Sequence, residues 1–191
     1  MFDRIVIIGC GLIGSSIAGA IKSRGNVKEI IGVETKDLAS AKSTGYYNII
    51  HQSFDEIDSA DLVVVCTPVS CTEQILTEII KKNVDNDFKL VTDVVSVKKR
   101  LLEFVDHLEI GLKKKFLSNF LSSHPLAGSE KIGAKNSNPL IFHNSTVLIC
   151  PFGDNNSTGE HIASNMKEKK WQQKLLEDFW LSLGSKPKTF P

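Results

Sequence analysis

Three glycines near the start of the chain have the spacing of a phosphate-binding turn. The apolar run Ile5–Ile8 leads into Gly9, Gly11 and Gly14, so the turn joins a predicted strand to a predicted helix. We expect Gly9 to let the chain leave the strand sharply and Gly11 to let a pyrophosphate approach the main chain. Gly14 should let the helix pack closely on the strand.

An acidic residue follows this turn at an offset that suits a ribose. Glu34 ends the apolar run Ile30–Val33 and lies about twenty residues after Gly14, where a carboxylate accepts hydrogen bonds from ribose hydroxyls. The alternative is that Glu34 is a solvated strand end. An acid here repels a 2′-phosphate, so NAD is the predicted cofactor and NADP is less favoured, although Lys36 could offset the repulsion.

Two further stretches are predicted to contact this cofactor. The amides that are free where the first helix begins, at Leu12 and Ile13, should face the phosphates together with the positive end of the helix dipole. Thr67 and Pro68 follow the apolar run Asp61–Cys66. The loop after such a strand lies at the C-terminal edge of the sheet, where open α/β folds bind ligands.

Four polar residues later in the chain are candidates for chemistry: Ser96, His124, Ser129 and Glu130. We expect all four to lie in loops that follow strands. A neutral imidazole can take a proton from an alcohol while a hydride leaves the same carbon, which makes His124 a candidate base. Residue type alone favours simpler roles, with His124 ordering a tight turn and Ser96 capping a helix. Ser129 and Glu130 would then be ordinary loop residues.

The elements that position these residues alternate between strands and helices. Strands are predicted at Ile5–Ile8, Ile30–Glu34, Tyr46–Ile50, Asp61–Cys66, Leu90–Val94, Thr146–Cys150 and Lys186–Phe190. Helices are predicted from the glycine turn to Gly25, over Asp37–Ser43, around Ile75–Ile80, over Val97–Leu108 and around Trp171–Leu183. The alternation predicts an α/β fold of Rossmann type, doubly wound, with a mainly parallel sheet and helices on both faces. No linker divides residues 1–191, so we expect one domain.

The C-terminal third carries two more specific expectations. Residues 153–170 are polar and are predicted to form an irregular surface segment. Trp171, Leu175, Phe179 and Leu183 should form the apolar stripe of the last helix.

Composition excludes several functional classes. The formal net charge is +1, so neither nucleic acid nor a membrane surface is an expected partner. The N-terminal apolar run is too short for a signal peptide or a membrane span. The four cysteines, Cys10, Cys66, Cys71 and Cys150, lack Cys-x-x-Cys spacing, which predicts a reducing, cytoplasmic location. No histidine has metal-ligand spacing, so no metal is expected.

Four segments, in this order, resemble the prephenate and arogenate dehydrogenase family. The strand with its glycine turn and Ala60–Val69 both match. Val91–Lys98 resembles the family's Thr-Asp-Val-Gly-Ser-x-Lys loop, and Ser123–Glu130 resembles its His-Pro-x-Ala-Gly-[Ser/Thr]-Glu segment. Val95 stands at the family's glycine and cannot easily adopt a positive φ, so the loop is either not left-handed or shifted.

The resemblance implies an NAD-dependent oxidative decarboxylation of prephenate, or of arogenate, in tyrosine biosynthesis. His124 would accept a hydrogen bond, and then the proton, from the ring hydroxyl of the substrate. Ser96 would contact that hydroxyl or orient His124. Ser129 and Glu130 would belong to the substrate pocket, with Glu130 shaping or gating it.

The resemblance also implies a helical domain that follows the cofactor domain. In the family this domain forms the homodimer, completes the cleft and supplies an arginine for the substrate carboxylates. The chain stops at Pro191 and no arginine follows Arg100, so we expect this domain to be absent. The chain should then bind NAD and turn over prephenate weakly or not at all. The alternatives are a free-standing NAD-binding module and another small-substrate NAD(P)-dependent dehydrogenase.

Overall fold

A five-stranded parallel sheet forms the centre of the computed structural model, which describes residues 2–83, 87–152 and 161–190. Its strands are β1 (Arg4–Ile8), β2 (Glu29–Val33), β3 (Ile49–His51), β4 (Ala60–Val65) and β5 (Phe88–Asp93). They pair in the order β3-β2-β1-β4-β5. Their near-continuous apolar runs are typical of parallel strands that are buried on both faces. The third strand begins at Ile49 rather than at the predicted Tyr46.

Helices cover both faces of this sheet. They are α1 (Leu12–Arg24), α2 (Leu38–Ser43), α3 (Val69–Lys82), α4 (Lys98–His107), α5 (Ile110–Asn119) and α6 (His161–Ser182). Successive β1 residues point to opposite faces. Ile7 packs in one core with Trp180 of α6, and Ile8 packs in the other with Leu76 of α3. The predicted doubly wound Rossmann-type fold is therefore confirmed.

A second sheet of three strands extends the first. It consists of β6 (Ser122–Pro125), β7 (Thr146–Cys150) and β8 (Lys186–Thr189). Strand β6 is antiparallel to β7, and β7 is parallel to β8. The main-chain amide of Leu121 donates to the carbonyl of Val91 at 3.0 Å, which connects the start of this sheet to β5. The final edge strand, predicted over Lys186–Phe190, is confirmed.

His124 lies within β6, so the prediction that it occupies a loop after a strand was wrong. The segment Ser122–Pro125 does not alternate between apolar and polar residues. Its two serines are buried, and their hydroxyls are satisfied by hydrogen bonds to Asp93. Periodicity therefore did not indicate a strand there. The apolar segment Phe116–Leu121 belongs largely to α5, a helix that the sequence had not predicted.

The prediction that Ser96 caps a helix was also wrong. Helix α4 begins at Lys98 with Val97 at its N-cap, and no side-chain hydrogen bond caps it among the described residues. The loop is held instead by Asp93, whose carboxylate accepts the amide of Val95 at 2.9 Å and leaves Ser96 exposed. In the described part of the chain, Asn144 is the only non-glycine residue with a positive φ, so the loop at Val95 is not left-handed.

The last helix starts earlier than expected, and the face that it directs at the core differs from the predicted one. The irregular segment predicted over 153–170 is helical from His161 onward, and residues 153–160 lie outside the described residues. Trp171 is 57% exposed, whereas Trp180 is fully buried and takes the core position. Trp171 was therefore wrongly assigned to the apolar stripe. No helix within the described ranges has the length and apolar character to cross a membrane.

Candidate active-site cleft

A single cleft at the C-terminal edge of the parallel sheet gathers most of the predicted site residues. Its volume is about 830 Å³. The predicted residues that line it are Gly9, Gly11, Leu12, Ile13, Glu34, Thr67, Pro68, Ser96, His124 and Ser129. Gly14 and Glu130 are not part of its lining. The cofactor motif and the histidine segment therefore share one cavity, although more than a hundred residues separate them.

The three glycines of the turn have separate structural roles. Gly9 has a φ of 91°, and a β-carbon there would lie 2.8 Å from the carbonyl oxygen of Cys66 on the adjacent strand. A β-carbon on Gly14 would lie 2.1 Å from the carbonyl oxygen of Gly9. At Gly11, apart from the adjoining backbone, no atom of the described residues would come within 4 Å of a β-carbon, so that position opens onto the cleft. Such an arrangement fits a pyrophosphate that approaches the main chain at Gly11.

The first turn of α1 offers free main-chain donors to the same space. Gly11 is its N-cap, no side-chain hydrogen bond caps it in the described ranges, and its first turn contains no acidic residue. The first amides of a helix lack partners within the helix, so those of Leu12 and Ile13 can bind an anion in the cleft. The dipole of α1 favours negative charge at this point.

Glu34 is held rigidly at the end of β2. Its Oε2 accepts the amide of Cys10 at 3.0 Å, and its Oε1 accepts the amide of Lys36 at 2.8 Å and that of Asp37 at 3.4 Å. An ionised carboxylate has about four acceptor positions, so it retains capacity for ribose hydroxyls. The geometry places a fixed negative charge beside the glycine turn.

Buried polar residues that were not predicted as site residues form hydrogen bonds with the main chain of the glycine turn. The hydroxyl of Ser15 donates to the carbonyl of Cys10 at 2.9 Å and lies 3.2 Å from the hydroxyl of Tyr47. Burial raises the pKa of Cys10 to about 12. A β-carbon on Gly32 would lie 2.7 Å from the sulfur of Cys10, so a small residue on β2 makes room for this thiol.

The other end of the cleft contains the candidate catalytic residues. His124 is half-buried, and burial, followed by the positive charge of Lys98, lowers the pKa of its imidazole below the usual 6.5. The imidazole is therefore neutral at physiological pH. Ser96 lines the same cleft, and no hydrogen bond joins it to His124 in the described part of the chain. Ser129 lies at the rim, where its hydroxyl accepts the amide of Lys131 at 3.2 Å.

A buried ion pair, not predicted from the sequence, contacts the strand that carries His124. The Nζ of Lys98 lies 2.5 Å from Oδ2 of Asp93, which is fully buried. Both residues fall inside the Val91–Lys98 segment, and an acid at the end of an apolar strand was the available signal. Across the described residues, no group of three or more His, Cys, Asp or Glu side chains is arranged to hold a metal ion.

Comparison with known proteins identifies the family to which this chain belongs. The sequence model described as "Prephenate dehydrogenase, nucleotide-binding domain" matches residues 17–172. The prephenate dehydrogenase of Bacillus subtilis is 32% identical over 154 residues, which are 79% of this chain and 40% of that protein. The chain thus spans well under half the length of this curated relative.

Two solved structures show the same fold. Prephenate dehydrogenase from Aquifex aeolicus, in complex with hydroxyphenyl propionate and NAD+, has a TM-score of 0.79 at 23% identity and covers 100% of this chain and 60% of its own. Arogenate dehydrogenase from Synechocystis has a TM-score of 0.72 at 24% identity and covers 97% of this chain and 59% of its own. With the glycine turn and the family match over residues 17–172, the chain belongs to the prephenate dehydrogenase family, as its nucleotide-binding domain.

Proposed function

We propose that this chain is the NAD-binding part of an enzyme that oxidises and decarboxylates prephenate to 4-hydroxyphenylpyruvate, or carries out the equivalent reaction on arogenate, in tyrosine biosynthesis. The observation that carries this proposal is the presence of His124 in the same cleft as the glycine turn of a prephenate dehydrogenase nucleotide-binding domain. The relative in Bacillus subtilis is named for prephenate, and the Synechocystis neighbour for arogenate.

NAD is the proposed cofactor, and it supplies a hydride acceptor when bound. The amides of Leu12 and Ile13 would hold its phosphates beside Gly11, and Glu34 would accept its adenosine ribose hydroxyls. The fixed charge of Glu34 disfavours a 2′-phosphate, so NADP should bind more weakly. The Aquifex neighbour contains NAD+, which agrees with this choice. Thr67 and Pro68 would border the nicotinamide side of the cleft.

His124 is the proposed general base. Its neutral imidazole can accept a hydrogen bond and then the proton of the substrate's ring hydroxyl, while the hydride leaves the same carbon. As the ketone forms, the quaternary carbon on the opposite side of the ring loses its carboxylate as CO₂, and the electron pair of the broken bond moves into the conjugated ring. Aromatisation of the ring makes the step effectively irreversible.

The remaining polar residues are proposed to contact the substrate. Ser96 is exposed in the cleft, and its hydroxyl would bind the substrate hydroxyl. The alternative that Ser96 orients His124 is less supported, because no hydrogen bond joins the two in the part of the chain that the structure describes. Ser129 would contribute to the pocket rim. Glu130, which is exposed and outside the cleft lining, would act only if its loop moves inward.

Substrate binding and assembly are proposed to involve more than this domain. A dianionic substrate requires cationic partners for its carboxylates. We propose that a helical domain like that of the family supplies an arginine, completes the cleft and forms a homodimer. A cytoplasmic location is proposed on the free cysteines.

The test has two parts. The chain is first titrated with NAD and with NADP, and we expect NAD to bind more tightly. Prephenate and arogenate oxidation are then assayed with the chain alone and with the chain joined to a family helical domain. Oxidation by the joined form, but not by the chain alone, supports the proposal. Failure to bind either nucleotide contradicts it, and NAD binding without oxidation in either form would favour a non-catalytic module.

A further inference from the structure

We propose that Asp93 and Lys98 are positioning residues for His124. Their buried ion pair fixes the position of β6, the strand that carries the imidazole, relative to the end of β5. This inference rests on the proposed role of His124 as the base. Neither residue lines the cleft, so both would act through His124 and not on the substrate.

Lys98 binds the main chain directly before His124. Its Nζ donates to Oδ2 of Asp93 at 2.5 Å and to the carbonyl oxygen of Ser123 at 2.7 Å. Only 16% of the Lys98 side chain is exposed. One ammonium group therefore connects the first turn of α4, the end of β5 and the peptide bond that leads into the imidazole-bearing residue.

Asp93 binds the same strand through separate atoms. Its Oδ1 accepts the hydroxyl of Ser122 at 2.6 Å, and its main-chain carbonyl accepts the hydroxyl of Ser123 at 2.8 Å. The hydroxyl of Thr92 lies 2.9 Å from that of Ser123. These contacts join residues that are about thirty positions apart, so they determine where β6 lies relative to β5.

The cost of burying this pair argues for a role beyond stability. Burial raises the pKa of Asp93 and lowers that of Lys98, so each charge needs its partner. A buried ion pair is often no more stabilising than apolar residues of similar volume. It does impose directional contacts, which apolar packing does not. A displacement of about 1 Å at a reacting group can cost about a hundredfold in rate, so precise placement of His124 is worth this cost.

The pair also sets the charge that His124 experiences. Lys98 lowers the pKa of the imidazole and Asp93 raises it, with burial as the largest cause of the lowering. Cys150 on β7 faces the same pair, and its thiol is neutral because burial raises its pKa. Loss of Lys98 should therefore favour the protonated imidazole, which cannot act as a base.

The test measures the titration of His124 in the 191-residue chain, by NMR of the imidazole, with the resonance assigned from His124→Asn. Lys98→Met should shift the midpoint upward, whereas Lys98→Arg should largely restore it. Lys99→Met is the matched control, since Lys99 is on the same helix turn and is 85% exposed. An unchanged midpoint in Lys98→Met would overturn the proposal.

Two additions keep the test decisive. If Lys98→Met fails to fold, the double variant Asp93→Asn/Lys98→Met removes both charges, and a smaller upward shift is expected, because the effect of Lys98 on the imidazole is larger than the opposing effect of Asp93. In an active form with the helical domain, Lys98→Met should lower kcat by about 10- to 100-fold with the KM for NAD nearly unchanged. The NMR result does not depend on turnover, so it stands even if the proposed reaction is wrong.

Discussion

Gly14 on α1 packs against the carbonyl oxygen of Gly9, so closely that a β-carbon on Gly14 would lie 2.1 Å from that oxygen. This contact sets the distance between the first helix and the first strand. Gly11, between them in sequence, contacts nothing in the same way and opens onto the cleft. The three glycines of one motif therefore separate into packing positions and one position that is open to the cleft.

Substitutions at Gly14 and at Gly11 should affect different properties, the first the stability of the fold and the second the binding of NAD. Gly14→Ala should lower the free energy of unfolding by about 1–3 kcal/mol, because the helix must move away from Gly9. Gly11→Ala should leave the free energy of unfolding within about 0.5 kcal/mol of the parent. It should weaken NAD binding by about tenfold or more, or about 1.4 kcal/mol. Urea unfolding and NAD titration measure the two effects, and tight NAD binding by Gly11→Ala would contradict the assignment.

Glu34→Ala should weaken NAD binding by about 10- to 100-fold, because hydrogen bonds to a charged group are lost. The advantage of NAD over NADP should narrow at the same time, since the repulsion of a 2′-phosphate disappears. Fluorescence titration with both reduced nucleotides measures this ratio. Glu29→Ala is a suitable control, because Glu29 lies at the opposite end of β2 and pairs with Arg4 at 3.1 Å. Unchanged affinities in Glu34→Ala would mean that Glu34 is only a solvated strand end.

His124→Asn, in a form that includes the helical domain, should lower turnover by about 10²–10⁴-fold and leave NAD affinity nearly unchanged. The pKa of His124 is lowered below 6.5, so the parent rate should fall only as the pH drops below that value and the imidazole becomes protonated. Steady-state assays across pH measure both effects. His143→Asn is the control, because His143 does not line the cleft. A variant with the parent rate would reduce His124 to a structural residue.

The cysteines should report occupancy of the cleft. Cys71 lines the cleft and is partly exposed, whereas Cys10 is 2% exposed and its pKa is raised to about 12. Near neutral pH, iodoacetamide should modify Cys71 and leave Cys10 intact, and NAD should slow the reaction at Cys71. Cys150 is the internal control, since it lies outside the cleft lining. Peptide mass spectrometry measures each site, and protection of Cys150 but not Cys71 would argue against nucleotide binding in this cleft.

Local patterns were sufficient to predict most of the fold. The runs that became β1, β2, β4 and β5 are largely apolar, and burial on both faces requires that composition. The end of α1 could also be predicted, because a glycine readily adopts the left-handed conformation that ends a helix, and Gly25 has a φ of 66° there. Strand β6 was missed, since Ser122 and Ser123 are buried through hydrogen bonds to distant partners that no sequence window contains. Helix α5 was missed as well.

The sequence by itself determined the class of site: a glycine turn after a buried strand, an acid at the ribose offset and a histidine segment typical of one family. Each of these signals is local, because it depends on backbone conformation and burial within a few residues. Only the tertiary structure decided that the end of β5 holds His124 in the cleft through Asp93 and Lys98. That arrangement depends on how β5, α4 and β6 pack together, and a buried charge reveals its partner only after those elements meet.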